Sequence, residues 1–268
     1  MGHVVAAPAT AWRLLGGSVP GSLHRRQGRG GDDAFGWHVE DGLVVAATAD
    51  GAGSRPGTSA FGAFTAVQAV LAAAPEKPDL EWIFDAALAA VLDAADGLGV
   101  APDLLATTLS VAVVAGAQVA IGQVGDGIAV HGAGGAVEAV AIAERSEHVN
   151  ETVFLTSPGA LTDHLRTFST GADAVDALAL TTDGLRYQVL DDVQACRPFA
   201  PFFQAAWAYA RRADAEPDAI TAFLDEISDD EGDQSGDDKT LVLAVRDGSA
   251  PAPSTTFLSA RPVVWVSA

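Results

Sequence analysis

The chain has 268 residues, 49% of them hydrophobic, and a net charge of −20 with a pI near 4.3. That length suits one large domain, the apolar share excludes a disordered chain, and the acidic balance excludes ordinary binding to nucleic-acid phosphates. The single cysteine, Cys196, excludes an intrachain disulfide framework and a cysteine-rich zinc site, and it suits a reducing cytoplasm.

The first 15 residues lack a basic segment followed by a long apolar run, so no signal peptide is expected. Residues 43–48 (LVVAAT) form an apolar β-type run that ends on Asp50-Gly51. Helical spacing follows over 58–74 and again over 78–98, where Pro78 and Asp79 are start signals. The apolar stretch 104–124 is interrupted by Thr, Ser, Gln and Gly. It reads as two buried strands, 107–114 and 118–124, rather than a membrane span. A Gly125-Asp126-Gly127 turn leads into strands over 128–131 and 136–143. Residues 144–173 are polar with weak periodicity, which predicts a loop-rich flap. A strand over 177–182 ends on Asp183-Gly184, helices are expected over 201–212 and 217–227, and 228–238 reads as an acidic turn. A strand over 240–245 precedes a Pro- and Ser-containing tail, 248–268, with a last strand at 263–266. Strands and helices in separate blocks predict a layered α+β fold, with the main domain over 1–247.

Five acidic turns share one local design: Gly31-Asp32-Asp33, Ala49-Asp50-Gly51, Gly125-Asp126-Gly127, Thr182-Asp183-Gly184 and Gly236-Asp237-Asp238. A single Asp-Gly is most often a plain turn. Several at strand ends can be gathered by one sheet, and the repulsion between their carboxylates is then offset by cations. Hard oxygen ligands without Cys or paired His select Mg²⁺ or Mn²⁺. Spacing alone leaves plain turns and a shared metal site both open.

The order of these motifs resembles the metal-dependent protein phosphatases of type 2C, the PPM family. The chain carries Asp32-Asp33-Ala34, Asp50-Gly51-Ala52-Gly53, Ala106-Thr107-Thr108, Gly125-Asp126-Gly127, Thr182-Asp183-Gly184 and Asp237-Asp238-Lys239-Thr240 in the family's order, over residues 16–246. Gly21-Ser22-Leu23-His24 and Asn150-Glu151-Thr152 look like its bacterial branch. The resemblance implies two packed antiparallel β-sheets flanked by α-helices, a four-layer αββα sandwich. It implies a protein serine/threonine phosphatase using two or three Mn²⁺ or Mg²⁺ ions. Asp50 would bridge two metals, with the Gly51 carbonyl on one of them. Asp183 and Asp237 would hold the first metal, Asp32 would stand beside the second, and Asp126 would serve a third, weaker one. Asp33 would orient the attacking water. The implied partner is a phosphoprotein, such as the product of a bacterial-type Ser/Thr kinase, with no nucleic acid and no membrane.

The match frays at the phosphate grip. The family's arginine position is Gly28, and Arg25, Arg26 and Arg29 lie close by; Arg25 and Arg29 are the candidates. Ala52 stands where eukaryotic members carry a histidine, Ser54 replaces a glycine, and His24 reads as structural. No spacing gives His131, His148 or His164 a role. The lost arginine position keeps a catalytically weak pseudophosphatase acting as a regulatory module in view. A hydrolase of small phosphate esters is a third reading.

Overall fold

The computed structural model describes residues 11–40, 42–52, 58–140, 152–216, 218–229, 235–247 and 255–259. The chain opens with β1 (Ala11–Val19), α1 (Ser22–Arg26), β2 (Asp33–Glu40), β3 (Leu43–Asp50), α2 (Ser59–Ala73) and α3 (Leu80–Leu98). It continues through β4 (Leu109–Ala115), β5 (Gln118–Val124), β6 (Ile128–Ala133), β7 (Ala136–Ala139), α4 (Ala160–Asp163), β8 (Arg166–Gly171) and β9 (Ala177–Thr181). It closes with α5 (Arg186–Val189), β10 (Leu190–Asp192), β11 (Arg197–Pro198), α6 (Ala200–Ala210), α7 (Asp218–Asp229), β12 (Lys239–Asp247) and β13 (Thr255–Leu258).

Two antiparallel sheets face each other. One has the order β1-β12-β9-β6-β7, the other β13-β2-β3-β4-β5-β8. The continuous apolar runs of β3 and β12 follow from burial on both faces. Side chains alternate along a strand. On β3, Val45 and Ala47 meet α2 and α3, while Val44 and Ala46 meet the opposite sheet. On β12, Val242 and Ala244 face that same inter-sheet core, while Leu241, Leu243 and Val245 meet α6 and α7. The result is the helix–sheet–sheet–helix sandwich that the resemblance implies.

The helices have local reasons too. α3 starts at Asp79, whose carboxylate accepts from the Trp82 N–H at 3.0 Å, and it stops at Gly99 in the left-handed region (φ 65°). α2 can press close because its buried face is small: a side chain at Gly62 would collide with the Leu105 carbonyl.

Several expectations change. The predicted flap contains β8, an edge strand that pairs with β5 from Gln118↔Gly171 to Gln123↔Arg166. Its sequence, RTFSTG, is polar because an edge strand is half-solvated, so it carries little periodic signal. β1 and β2 escape a reading by pattern because Gly16, Gly17 and Gly36 interrupt them. α7 continues through Ser228 and Asp229, which the sequence placed in the acidic turn. The tail adds its strand at Thr255–Leu258, where it pairs with β2 and stacks Phe257 on Trp37 with centroids 4.6 Å apart. The expected strand at 263–266 lies outside the described residues. So do Gly53, Ser54, residues 144–151 with His148, Asn150 and Glu151, Pro217 and the acidic run 230–234. Among the described residues no helix is long and apolar enough to cross a membrane.

Candidate metal centre

Strand alternation and register bring the acidic turns together. Asp33 and Asp50 stand directly opposite each other on β2 and β3. They lie on the strand faces that carry Phe35 and Val44, which point at the second sheet. From that second sheet, Asp183 follows the end of β9 and Asp237 precedes β12, its antiparallel neighbour. Asp126 lies two residues ahead of β6, whose Ile128 pairs with Thr181. One carboxylate oxygen from each of Asp50, Asp183 and Asp237 falls within 4.8 Å of the others.

Two glycines make this approach sterically feasible. A side-chain carbon at Gly184 would sit 1.9 Å from the Asp238 carbonyl oxygen, so only glycine lets the Asp183 turn lie against the Asp237-Asp238 turn. At Gly51 the same carbon would meet the Ser59 carbonyl at 2.6 Å. The Gly51 N–H donates to the Asp32 carbonyl at 3.2 Å, which ties the Asp50 turn to the acidic pair.

Each carboxylate has a distinct set of partners. Asp33 Oδ2 accepts from the Thr182 hydroxyl at 2.7 Å and the Thr240 hydroxyl at 2.6 Å, while its buried Oδ1 has no hydrogen-bond partner among the described residues. Asp32 Oδ2 accepts from Arg29 Nη2 at 3.0 Å and Ser59 Oγ at 3.3 Å. Asp238 accepts from the N–H groups of Gly21 (2.7 Å) and Asp32 (2.5 Å) and pairs with His24 Nδ1 at 2.8 Å. His24 is buried and engaged by Asp238, as a structural histidine would be. Asp126 Oδ2 accepts from Thr152 Oγ1 at 3.0 Å and from Arg186 Nη2 at 3.2 Å, and the same Arg186 nitrogen lies 2.5 Å from Asp183 Oδ2.

The electrostatics of the cluster are unfavourable by themselves. Burial first, then repulsion from Asp33, Asp183, Asp237 and Asp126, raises the Asp50 carboxyl well above the usual range. Burial and Asp238 raise Asp33 well above it too, only partly opposed by the Thr240 and Thr182 hydroxyls. Asp183 is pushed up to about 6 by burial and by Asp126, against the pull of Arg186. Burial likewise raises Asp237, and it raises Asp32 against the pull of His24 and Arg29. Crowded, desolvated carboxylates with an orphaned oxygen are a fitting donor set for a hard divalent cation, and the all-oxygen chemistry suits Mg²⁺ or Mn²⁺.

The arginines divide. Arg29 reaches the cluster through Asp32, whereas Arg25 donates to the Pro20 carbonyl at 2.7 Å and to Asp225 of α7 at 2.5 Å. Arg25 is thus tied to α7, whereas the sequence offered it with Arg29 as a phosphate ligand. Arg26 is exposed, and Gly28 adopts a left-handed turn in open space. Sequence reasoning missed Arg186, Thr182 and Thr240 as contributors. Arg186 carried a readable signal: it stands three residues after Asp183, a spacing at which opposite charges meet in a helical turn.

The solved structures most like this fold include a serine/threonine phosphatase, Stp1, from Staphylococcus aureus. It has a TM-score of 0.63 at 14% identity and covers 92% of this chain and 100% of its own. The catalytic domain of the serine threonine protein phosphatase PstP, in complex with two manganese ions, has a TM-score of 0.58 at 16% identity, over 87% of this chain and 97% of its own. A serine-threonine phosphatase 2C from Toxoplasma gondii has a TM-score of 0.59 at 13% identity, over 89% and 98%. No curated protein matches the chain at the level of sequence. The sequence model of the family described as Protein phosphatase 2C matches residues 20–225, and with the two-sheet sandwich of its bacterial members in place the chain belongs to that family.

Proposed function

We propose that the chain is a protein serine/threonine phosphatase that uses Mn²⁺ or Mg²⁺. The observation that carries this reading is the meeting of Asp50, Asp183 and Asp237 within 4.8 Å, where the ends of strands from both sheets come together. Asp50, the Gly51 carbonyl, Asp183 and Asp237 would hold the cations, with Asp32 beside them. When bound, such cations acidify water and offset the charge of a phosphoryl group. Asp33 has one oxygen fixed by Thr182 and Thr240, which leaves Oδ1 to orient the attacking water and take its proton. Arg29 would be the arginine that grips phosphate, a reading supported by its guanidinium reaching Asp32 of the acidic cluster. The substrate class is a phosphoprotein, such as the product of a bacterial-type Ser/Thr kinase, and the setting is cytoplasmic.

A second reading, a regulatory module of weak activity, is favoured by the absence of a side chain at Gly28 and the engagement of Arg25 by Asp225. Hydrolysis of p-nitrophenyl phosphate and of a phosphothreonine peptide, measured in parallel with EDTA, Mg²⁺ and Mn²⁺, separates the readings. Metal-dependent turnover of the peptide that vanishes in Asp183→Ala supports the phosphatase. Turnover of the small ester alone favours a small-ester hydrolase, and no turnover despite metal binding favours the regulatory module.

A further inference from the structure

The Arg186 side chain is tied to two of the clustered aspartates at once. A single guanidinium nitrogen lies 2.5 Å from Asp183 Oδ2 and 3.2 Å from Asp126 Oδ2. A cation shared by Asp126 and Asp183 would have to occupy the same place. Thr152 Oγ1 reinforces the arrangement by donating to that same Asp126 oxygen at 3.0 Å. The position of Arg186 is also fixed from below. Leu185 before it and Val189 at the end of α5 are fully buried in the core under α6, so the turn that carries the guanidinium is anchored. An arginine does not give up its proton in any working range of pH, so the charge at this junction is permanent.

We infer that Arg186 is a built-in cation at the junction of Asp126 and Asp183, so that this protein takes two divalent ions where the same carboxylates would otherwise admit a third. The inference rests on the metallophosphatase reading and narrows it. Arg186 acts through Asp126 and Asp183 and is a positioning residue.

Calorimetric titration of the metal-stripped full chain with Mn²⁺ tests this, with Arg186→Ala, Arg186→Lys, Asp126→Ala and the Arg186→Ala/Asp126→Ala pair. The wild type and Arg186→Lys should each take about two equivalents, the number a paired-metal site uses. Arg186→Ala should gain a further, weaker equivalent, which the added Asp126→Ala removes. In the wild-type background Asp126→Ala should leave the stoichiometry unchanged. Three equivalents in the wild type would overturn the inference while leaving the phosphatase reading intact. So would an unchanged stoichiometry in Arg186→Ala with a raised KM for p-nitrophenyl phosphate, which would make Arg186 a phosphate ligand. Absence of Mn²⁺ binding in every variant, with folding verified by circular dichroism, would overturn both.

Discussion

At the scale of single residues, the site is defined by what each carboxylate lacks. Asp33 has one oxygen held by two threonine hydroxyls and one with no partner among the described residues, and in the proposed role that second oxygen would accept a proton in a fixed direction. Asp33→Asn should lower kcat by about 10²-fold, the low end of what a positioned acid–base group contributes, while Mn²⁺ affinity stays near that of the wild type. Steady-state kinetics and calorimetry on the same preparation check this, and an unchanged kcat would remove Asp33 from the chemistry. The arginines give a second contrast. Arg29 touches Asp32 whereas Arg25 is paired with Asp225, so Arg29→Ala should raise KM for a phosphopeptide more than Arg25→Ala does. The Arg25–Asp225 pair is largely exposed on its acidic side, and its loss should cost under about 1 kcal/mol of stability, read by urea denaturation.

At the scale of elements, turns rather than helices place the chemistry. The Thr182-Asp183-Gly184 turn lies against the Asp237-Asp238 turn only because residue 184 has no side chain. Gly184→Ala should force the two turns apart, costing about 1–3 kcal/mol as an overpacked site does. The same change should weaken Mn²⁺ binding, because Asp183 and Asp237 move relative to each other. Denaturant melts and metal titration read the two effects, and tight metal binding in this variant would show that the turns are not coupled. α3 offers the opposite case. Asp79 caps its first turn far along the chain from every aspartate of the cluster, so Asp79→Ala should lose about 1 kcal/mol of stability, as lost N-caps do, with phosphatase activity kept.

At the scale of the whole molecule, the fold gathers carboxylates whose mutual repulsion protons or bound cations would relieve. Asp33, Asp50, Asp183 and Asp237 all have carboxyls raised above the ordinary value of 3.8, with Asp183 at about 6. A group raised in the folded state binds protons there before it does in the unfolded chain. The metal-free protein should therefore gain stability as pH falls from 7 through about 6 and stop gaining from these groups near 3.8, where unfolded carboxylates also protonate. Saturating Mn²⁺ should raise the melting temperature at pH 7 and flatten this dependence, because ions and protons compete for the same oxygens. Thermal melts in EDTA and in Mn²⁺ between pH 7 and 5 provide the comparison. A metal-free protein that loses stability on this mild acidification would contradict the raised carboxyls.

The sequence by itself determined the acidic turns and most of the core strands. Asp50-Gly51 and Asp183-Gly184 follow apolar runs, and those runs are apolar because each strand is buried on both faces, so the pattern survives in the letters. Solvated or glycine-broken pieces left a weaker trace, which is why β1, β2, β8 and the tail strand Thr255–Leu258 were not legible. Which carboxylates meet was decided only in three dimensions. Asp33 and Asp50 come together through strand register, Asp183 and Asp237 through the pairing of β9 with β12, and the two pairs through the packing of one sheet on the other. Arg25 and Arg29 look equivalent in sequence, four residues apart in one basic stretch. The tertiary structure separates them, because α7 brings Asp225 to Arg25 and the path of the chain into β2 brings Asp32 to Arg29. Long-range pairing of this kind depends on where distant segments pack, and local residue patterns carry no record of it.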